Sequence, residues 1–294
     1  MIKSTSRKVF EVFNVFILVL LSIIMLYPFL YVLTASLSSN ASVLAGRVGI
    51  IPDDFNLEAY KAVFHYSLVW TSYRNTIFYT VLGTAINLLM TILGAYPLSR
   101  KDFYGRGLFT FFIAVTMFFG GGLIPTFLTV KGFGLYNTFW ALLLPGAIST
   151  TSMIIMRTFF QNVPNALEEA AIIDGASDFQ ILVRVILPLS LPSITTIGMF
   201  YAVGHWNSWF SAMIYLRDRE KYPLQLILRQ IVLQNQVNEL LSQEYGTTIE
   251  EANSLISETV KYAVIMVAVI PILCVYPFIQ KHFVKGVMIG ALKG

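Results

Sequence analysis

Two stretches of this 294-residue sequence hold most of the side chains that could do specific chemistry. The first, Asn165 to Pro188, sets Glu168, Glu169, Asp174 and Asp178 around Ala170, Ala171 and Gly175. The second places Tyr201, His205, Trp206, Asn207 and Trp209 in an otherwise apolar run. Neither reads as a catalytic centre. The three histidines, at 65, 205 and 282, are scattered, and Cys274 is the one cysteine, so neither a metal site with zinc-ligand spacing nor a disulfide framework is expected. No G-x-x-x-x-G-K-[ST] loop is present to hold a nucleotide. The second stretch can instead bind, because rings stack on apolar faces and amides form neutral hydrogen bonds. His205 and Trp209 stand at i, i+4, and Trp206 and Trp209 at i, i+3, so part of the set shares a helical face. Helix packing or an aromatic belt at a membrane interface would use the same residue types, and the belt is the expected place for Trp209 and Tyr215. Placement of His205 and Asn207 against protein or water is favoured over lipid, where an unpaired polar group is costly.

The elements that must position these residues are written in the composition. The chain is 56% hydrophobic and 12% charged, about half the roughly 25% charge of soluble domains. A bilayer core of about 30 Å needs roughly 20 apolar residues per helical crossing. Six stretches qualify: Val12–Thr34, Thr76–Leu98, Leu108–Val130, Phe139–Met156, Leu189–Leu216 and Tyr262–Ile279. An all-α, polytopic membrane protein with six transmembrane helices follows, residues 1–294 forming one membrane domain. The first stretch follows Lys3, Arg7 and Lys8 but is long for a signal peptide and reads as a retained span. Basic residues favour the cytoplasmic side of short loops. Those three, with Arg100, Lys101 and Arg106, place both termini in the cytoplasm. Segments 35–75 and 217–261 are then extracytoplasmic, and Arg157–Pro188 is cytoplasmic. Asn56 before Leu57-Glu58, and Thr248 three residues before Glu251, are helix-start signals, so the outer segments should be small folded caps.

The six apolar cores contain no Asp, Glu, Lys or Arg. Ion-driven transporters carry such groups within their spans, so this chain lacks an internal energy source. It is a channel, a membrane enzyme, or a subunit driven by a separate ATPase. A membrane enzyme would show a cluster of His, Asp or Glu near one membrane face, and with three histidines in all that reading is weak. Asn165 can cap a helix, with Glu168 three residues on completing a capping box. Gly175 suits the left-handed position that ends it. Ser177 and Gln180 offer a second box, and a second helix should run to Leu187 before Pro188. The result is a rigid elbow, where Ala170 and Ala171 permit close approach and Glu168, Glu169 and Asp174 offer charge. Gly120, Gly121, Gly122 and Pro125 interrupt the third stretch, either as a flexible gate or as a close-packing site.

Glu169-Ala170-Ala171, three residues, Gly175, nine residues, then Val185-Ile186-Leu187-Pro188 resembles the E-A-A signature of ABC-importer permeases, with Val185 where Ile is usual. Gly120–Thr126, Asn137–Trp140 and Gly204–Ser208 look like the maltose-type carbohydrate permeases, and the C-terminal Phe283–Gly294 is similar to a lipoprotein-associated branch found in Gram-positive bacteria. The resemblance implies a type I ABC importer permease fold with a cytoplasmic coupling helix, in a bacterial cell membrane. Segment 165–188 would dock on an ATPase through Glu168, Glu169, Ala170, Ala171, Asp174, Gly175, Leu187 and Pro188. It implies a second homologous permease, two ATPase subunits carrying ATP and Mg, an extracellular substrate-binding lipoprotein, and an oligosaccharide substrate moved by alternating access. Fragments of acidic polysaccharides would suit that branch. No cofactor is expected in this chain, no enzymatic activity of its own, and no nucleic-acid partner. Tyr201, His205, Trp206 and Asn207 are the substrate-pathway candidates. A permease of the same fold for another solute, or a stand-alone channel, remains the alternative.

Overall fold

The structure, a computed structural model, describes residues 5–233 and 258–291. Its contacts divide the chain into two compact units. One comprises the chain up to Val69 and from Leu228 to Pro271, the other Trp70 to Ile227 and Ile272 onward.

The first unit contains α1 (Thr5–Ser36), an apolar helix whose side chains from Phe10 to Phe29 are largely exposed. Among the described residues little packs on that surface, as expected of a span bathed in lipid. Beyond it, α2 (Asn40–Leu44) is capped by Ser39, and α3 (Glu58–His65) starts where the Asn56 side chain accepts the Glu58 N–H at 2.6 Å. Neutral hydrogen bonds knit this cap together. Thr34 Oγ1 donates to the Gly49 carbonyl at 2.8 Å, Ser38 Oγ accepts from the Asp53 N–H at 3.1 Å, and the Ser36 and Tyr60 hydroxyls meet at 2.8 Å. The segment after α1 is therefore folded, as its start signal implied. The signal at Thr248 lies outside the described residues. The last apolar stretch belongs to α15 (Glu258–Ala291), whose Tyr262 ring packs edge-on to Tyr31 at 5.9 Å.

The second unit is organised by α4 (Ser67–Ser99), 33 residues and about 50 Å long at 1.5 Å per residue. Ser72, Thr76, Tyr79, Gly83, Asn87, Thr91, Ala95 and Leu98 are buried along it at intervals of three and four. This stripe of small and polar residues faces protein, while Phe78, Val81, Leu89 and Leu93 stay exposed. Apolar side chains gain little by leaving lipid, so membrane helices associate through close packing and hydrogen bonds. A β-carbon at Gly83 would overlap the His205 imidazole, whose Cδ2 lies 2.8 Å from that position. Glycine here sets how closely the two helices approach.

Three of the six apolar stretches are continuous helices, and three are broken. The third divides into α5 (Arg106–Phe118) and α6 (Leu123–Gly132), bent by 114°. Gly122, with φ of 80°, makes that corner. The fourth divides into α7 (Trp140–Leu143) and α8 (Thr150–Gln161) around Pro145-Gly146. The fifth divides into α12 (Leu191–Trp206) and α13 (Phe210–Tyr215). Between α8 and α12 lies the elbow: α9 (Asn165–Ile173), α10 (Asp178–Ile181), a π-helical turn at Leu182–Ile186, and α11 (Leu187–Leu189). The second elbow helix thus runs past Pro188, which sits in the first turn of α11 where no amide hydrogen is needed. It meets α12 at 83°. A further helix, α14 (Leu224–Leu233), follows the outer segment from Arg217.

Tyr215 is buried with Val130 and Ala141 and stacks on Phe127 at 6.1 Å, and Trp209 packs against Ala212, Leu216 and Leu226. Tyr215 is buried in the core of the unit and Trp209 is partly buried at its edge, so both rings pack on protein as well as standing near the end of an apolar stretch. The break between α12 and α13 turns these rings inward.

Candidate coupling elbow and translocation face

Pro164, with no side-chain hydrogen bond, holds the N-cap of α9, and Asn165 is the first helical residue. The expected box between Asn165 and Glu168 is therefore not formed. The Glu168 carboxylate is instead engaged by Arg100, at the far end of α4. The second box is formed: Ser177 N–H donates to Gln180 Oε1 at 2.9 Å, and Gln180 N–H to Ser177 Oγ at 3.4 Å. Gly175 has φ of 78°, and a β-carbon there would meet nothing within 4 Å. The backbone conformation, and not crowding, requires glycine at this turn.

The motif residues divide between two faces. Ala171, Ala176, Val185 and Leu187 pack on a core formed by Leu98, Met156, Phe160, Ile181, Ile186 and their neighbours. Glu169, Ala170, Asp174, Gly175 and Pro188 are exposed. Beside them Ile173 is 85% exposed and Phe179 69% exposed. An apolar patch at the tip of a polar elbow, next to two carboxylates, is a surface built for a protein partner.

The candidate pathway residues also divide. Asn87 is 1% exposed, and its Nδ2 donates to the Gly146 carbonyl at 2.6 Å. Its Oδ1 meets His205 Nε2 at 2.6 Å, so that ring nitrogen carries the proton. Tyr201 accepts the Ser149 N–H at 3.1 Å, and Thr91 Oγ1 lies 2.7 Å from the same hydroxyl. One side chain of α4, Asn87, and one of α12, Tyr201, therefore satisfy the backbone where the fourth stretch leaves helical geometry, each held by a side chain of the other helix. An unpaired carbonyl or amide in apolar surroundings costs several kcal/mol, roughly. His205 and Tyr201 thus hold the bundle together. Trp206, edge-on to Tyr73 at 6.1 Å, and the exposed Asn207 sit at the open end of α12. Asn207 Nδ2 donates to the Val203 carbonyl at 3.0 Å, and Gln225 Nε2 approaches its Oδ1 at 3.5 Å. At the third-stretch corner, β-carbons on Gly120 and Gly121 would meet nothing within 4 Å among the described residues.

Opposite the elbow, Asn75 Nδ2 donates to the Glu220 and Tyr222 carbonyls, Tyr79 to Lys221 O, and the Leu224 N–H to Thr76 Oγ1. Asn137, at φ of 60°, accepts the Arg217 and Asp218 N–H groups and donates to the Asp218 carboxylate at 2.8 Å. Lys221 Nζ reaches that carboxylate at 2.8 Å and the Asn137 carbonyl at 2.9 Å. Asn87, Gly83 and the Arg100 pairing escaped sequence reading. A lone Asn within an apolar stretch was the available signal, since such a residue demands a partner.

Long apolar helices, broken spans closed by neutral hydrogen bonds and an exposed elbow define a membrane permease. The chain belongs to the family described as the inner membrane component of binding-protein-dependent transport systems, whose model matches residues 86–289. It is 43% identical over 288 residues to the polygalacturonan/rhamnogalacturonan transport system permease protein YtcP of Bacillus subtilis, covering 98% of this chain and 99% of that protein. It is also 43% identical to Protein LplC of Bacillus subtilis, over 98% and 96% of the two chains. A solved bacterial ABC transporter involved in import of the acidic polysaccharide alginate contains a chain of the same fold. That chain has a TM-score of 0.85 and 40% identity, over 96% of this chain and 99% of that one. This protein is accordingly a membrane-embedded permease subunit of an ATP-binding-cassette importer.

Asn87→Leu keeps the bulk but leaves the Gly146 carbonyl and His205 unpaired. It should destabilise the purified protein by about 1–3 kcal/mol for each group left without a partner, read as a lower midpoint in thermal unfolding in detergent. Asn207→Leu, at an exposed position, should leave that midpoint unchanged. In the loop after α13, the carboxyl of Asp218 is held below its ordinary 3.8 by hydrogen bonds, first from Lys221 and then from Asn137. A depressed carboxyl contributes its ordering above the unfolded value and loses it as pH falls through the folded one. Protease cleavage around Arg217–Lys221 should therefore stay slow at pH 5 and rise only below 3.8. Asp218→Asn should remove that pH dependence.

Proposed function

We propose that this chain forms half of the translocation pathway for carboxylate-bearing oligosaccharides, moved by alternating access. A second, homologous permease supplies the other half. Two ATPase subunits, which carry ATP and Mg, dock on segment 165–188, and an extracellular lipoprotein delivers the sugar to 35–75 and 217–261. Both termini lie in the cytoplasm in this reading, which the basic residues Lys3, Arg7, Lys8, Arg100, Lys101 and Arg106 support. The observation that carries the docking assignment is the outward face of the elbow, where Glu169, Asp174, Ile173 and Phe179 surround the left-handed turn at Gly175. Support for the substrate class comes from the names of the full-length relatives, which specify polygalacturonan, rhamnogalacturonan and alginate. The pathway itself runs past Trp206 and Asn207, whose ring and amide suit sugar faces and hydroxyls. With no charged group in the apolar cores, recognition here relies on neutral hydrogen bonds and stacking. Gly120–Gly122 and Pro125 form a flexible corner that can serve as a gate, since no neighbour among the described residues fills the space at Gly120 and Gly121.

Two variants test this in the reconstituted transporter supplied with oligogalacturonides or oligoalginates. Gly175→Val forces a β-branched residue into positive φ, where it is strongly disfavoured. Uptake and substrate-stimulated ATP hydrolysis should both fall while the protein still inserts, and normal values of both would remove the docking assignment. Asn207→Leu should lower uptake with basal ATP hydrolysis intact. In a Cys274→Ser background, Asn207→Cys should react with a water-soluble thiol reagent in the outward-open state. Normal transport by the leucine variant, with the cysteine unreactive in every state, would move the pathway elsewhere.

A further inference from the structure

The motif begins with two adjacent glutamates, and the structure largely buries one and exposes the other. Successive residues of an α-helix point about 100° apart. Glu168 turns toward the end of α4 and pairs with Arg100, their side chains only 14% and 16% exposed. Glu169 is exposed. The cleft around the pair, about 400 Å³, is also lined by Asp102 and by Glu169 itself, so other carboxylates lie close by, yet Arg100 engages Glu168.

Arg100 is itself fixed from several sides. Its guanidinium lies 5.3 Å from the centre of the Tyr96 ring, a cation–π arrangement. Arg106 Nη1 donates to the Arg100 carbonyl at 3.2 Å. The Tyr96 hydroxyl donates to the Asp178 carbonyl at 3.1 Å, and Arg157 Nε to the Leu98 carbonyl at 2.8 Å. The last turn of α4 therefore grips the first elbow helix through Glu168, the second through Asp178, and the end of α8 through Arg157.

We propose that Arg100 is a positioning residue of the coupling elbow. By drawing Glu168 inward it sets the rotation of α9, so that Glu169, Ala170 and Ile173 face the ATPase, and it passes displacement of the elbow into α4. The proposal rests on the docking reading above, with one change of role: Glu168 is an internal anchor, and Glu169 is the carboxylate left for the partner. Capping cannot account for the position of Glu168, because the N-cap is Pro164 and the expected box is absent.

The test uses the complete reconstituted transporter, with its ATPase subunits and binding protein, in a Cys274→Ser background. Arg100→Glu and Glu168→Arg are made singly and then combined. Spin labels at Lys101→Cys and Ala166→Cys, the latter exposed on α9 away from the docking residues, report how α9 is held, whatever the substrate. ATP-driven uptake of oligogalacturonides and substrate-stimulated ATP hydrolysis report coupling. Each single reversal leaves a mostly buried charge facing its like. It should broaden the label distances and lower coupled uptake about tenfold or more, with the ATPase subunits still copurifying. The combined exchange should return both readings to within about twofold of the parent. Narrow distances in the single variants would overturn the proposal, as would failure of the exchange to restore them. Should the reversals not insert, Arg100→Gln replaces them, with the same distances decisive. Failure of the docking reading is recognised separately: Ile173→Asp would then leave copurification and stimulated hydrolysis unchanged, while the label distances still decide the role of Arg100.

Discussion

A backbone that leaves helical geometry between apolar helices must find hydrogen-bond partners inside the protein, because lipid offers none. In this permease the break between α7 and α8 exposes the Gly146 carbonyl and the Ser149 amide, and neutral side chains of α4 and α12 meet both. Asn87 serves two neighbours at once, and Tyr201 likewise. Without these side chains the freed carbonyl and amide would lack partners, and the buried core of α4, α8 and α12 would lose the hydrogen bonds that fix its register. The choice of neutral groups has a physical basis. A charge here would carry a large desolvation cost with no counter-ion in any apolar core.

The same helix that satisfies the break also organises both ends of its unit. Asn75, Thr76 and Tyr79 hold the backbone from Glu220 to Leu224, and Tyr96 and Arg100 hold the elbow. Between them the stripe through Gly83 and Ala95 is small enough for neighbours to press close. Helices bind sideways through packing and neutral hydrogen bonds in the middle and through ionic and backbone contacts at the ends. This division follows from where water is available to share the cost of a charge.

Much of this was legible in the sequence because it is local. The left-handed turn at Gly175, the Ser177–Gln180 box and the corner at Gly122 each depend on residues within a few positions, and each is formed. The six apolar stretches were likewise visible, since length and hydropathy decide them. What escaped depends on distant partners. Asn87 meets Gly146 and His205, which lie 59 and 118 residues away, and no spacing rule reaches that far. The Asn165–Glu168 box is absent because the helix starts one residue earlier, with Pro164 at the N-cap, and Glu168 pairs with the distant Arg100. Arg100 had been read only as one of several positive charges marking a membrane face. The breaks after Leu143 and Trp206 were also hidden, because an apolar stretch looks the same whether its helix is straight or divided.

The different burial of Glu168 and Glu169 constrains how such elbows can be exchanged between transporters. A graft that carried the outward residues of one permease into another would keep its partner specificity only if the recipient also had a cation at the end of its second span. Deleting one residue inside α9 ahead of the pair, such as Leu167, would shift the residues that follow by about 100° around the helix and bring Glu169 to the position Glu168 now holds, with the E-A-A letters untouched. Hybrid importers built by matching motif letters alone would then assemble from compatible parts and still be mechanically out of phase.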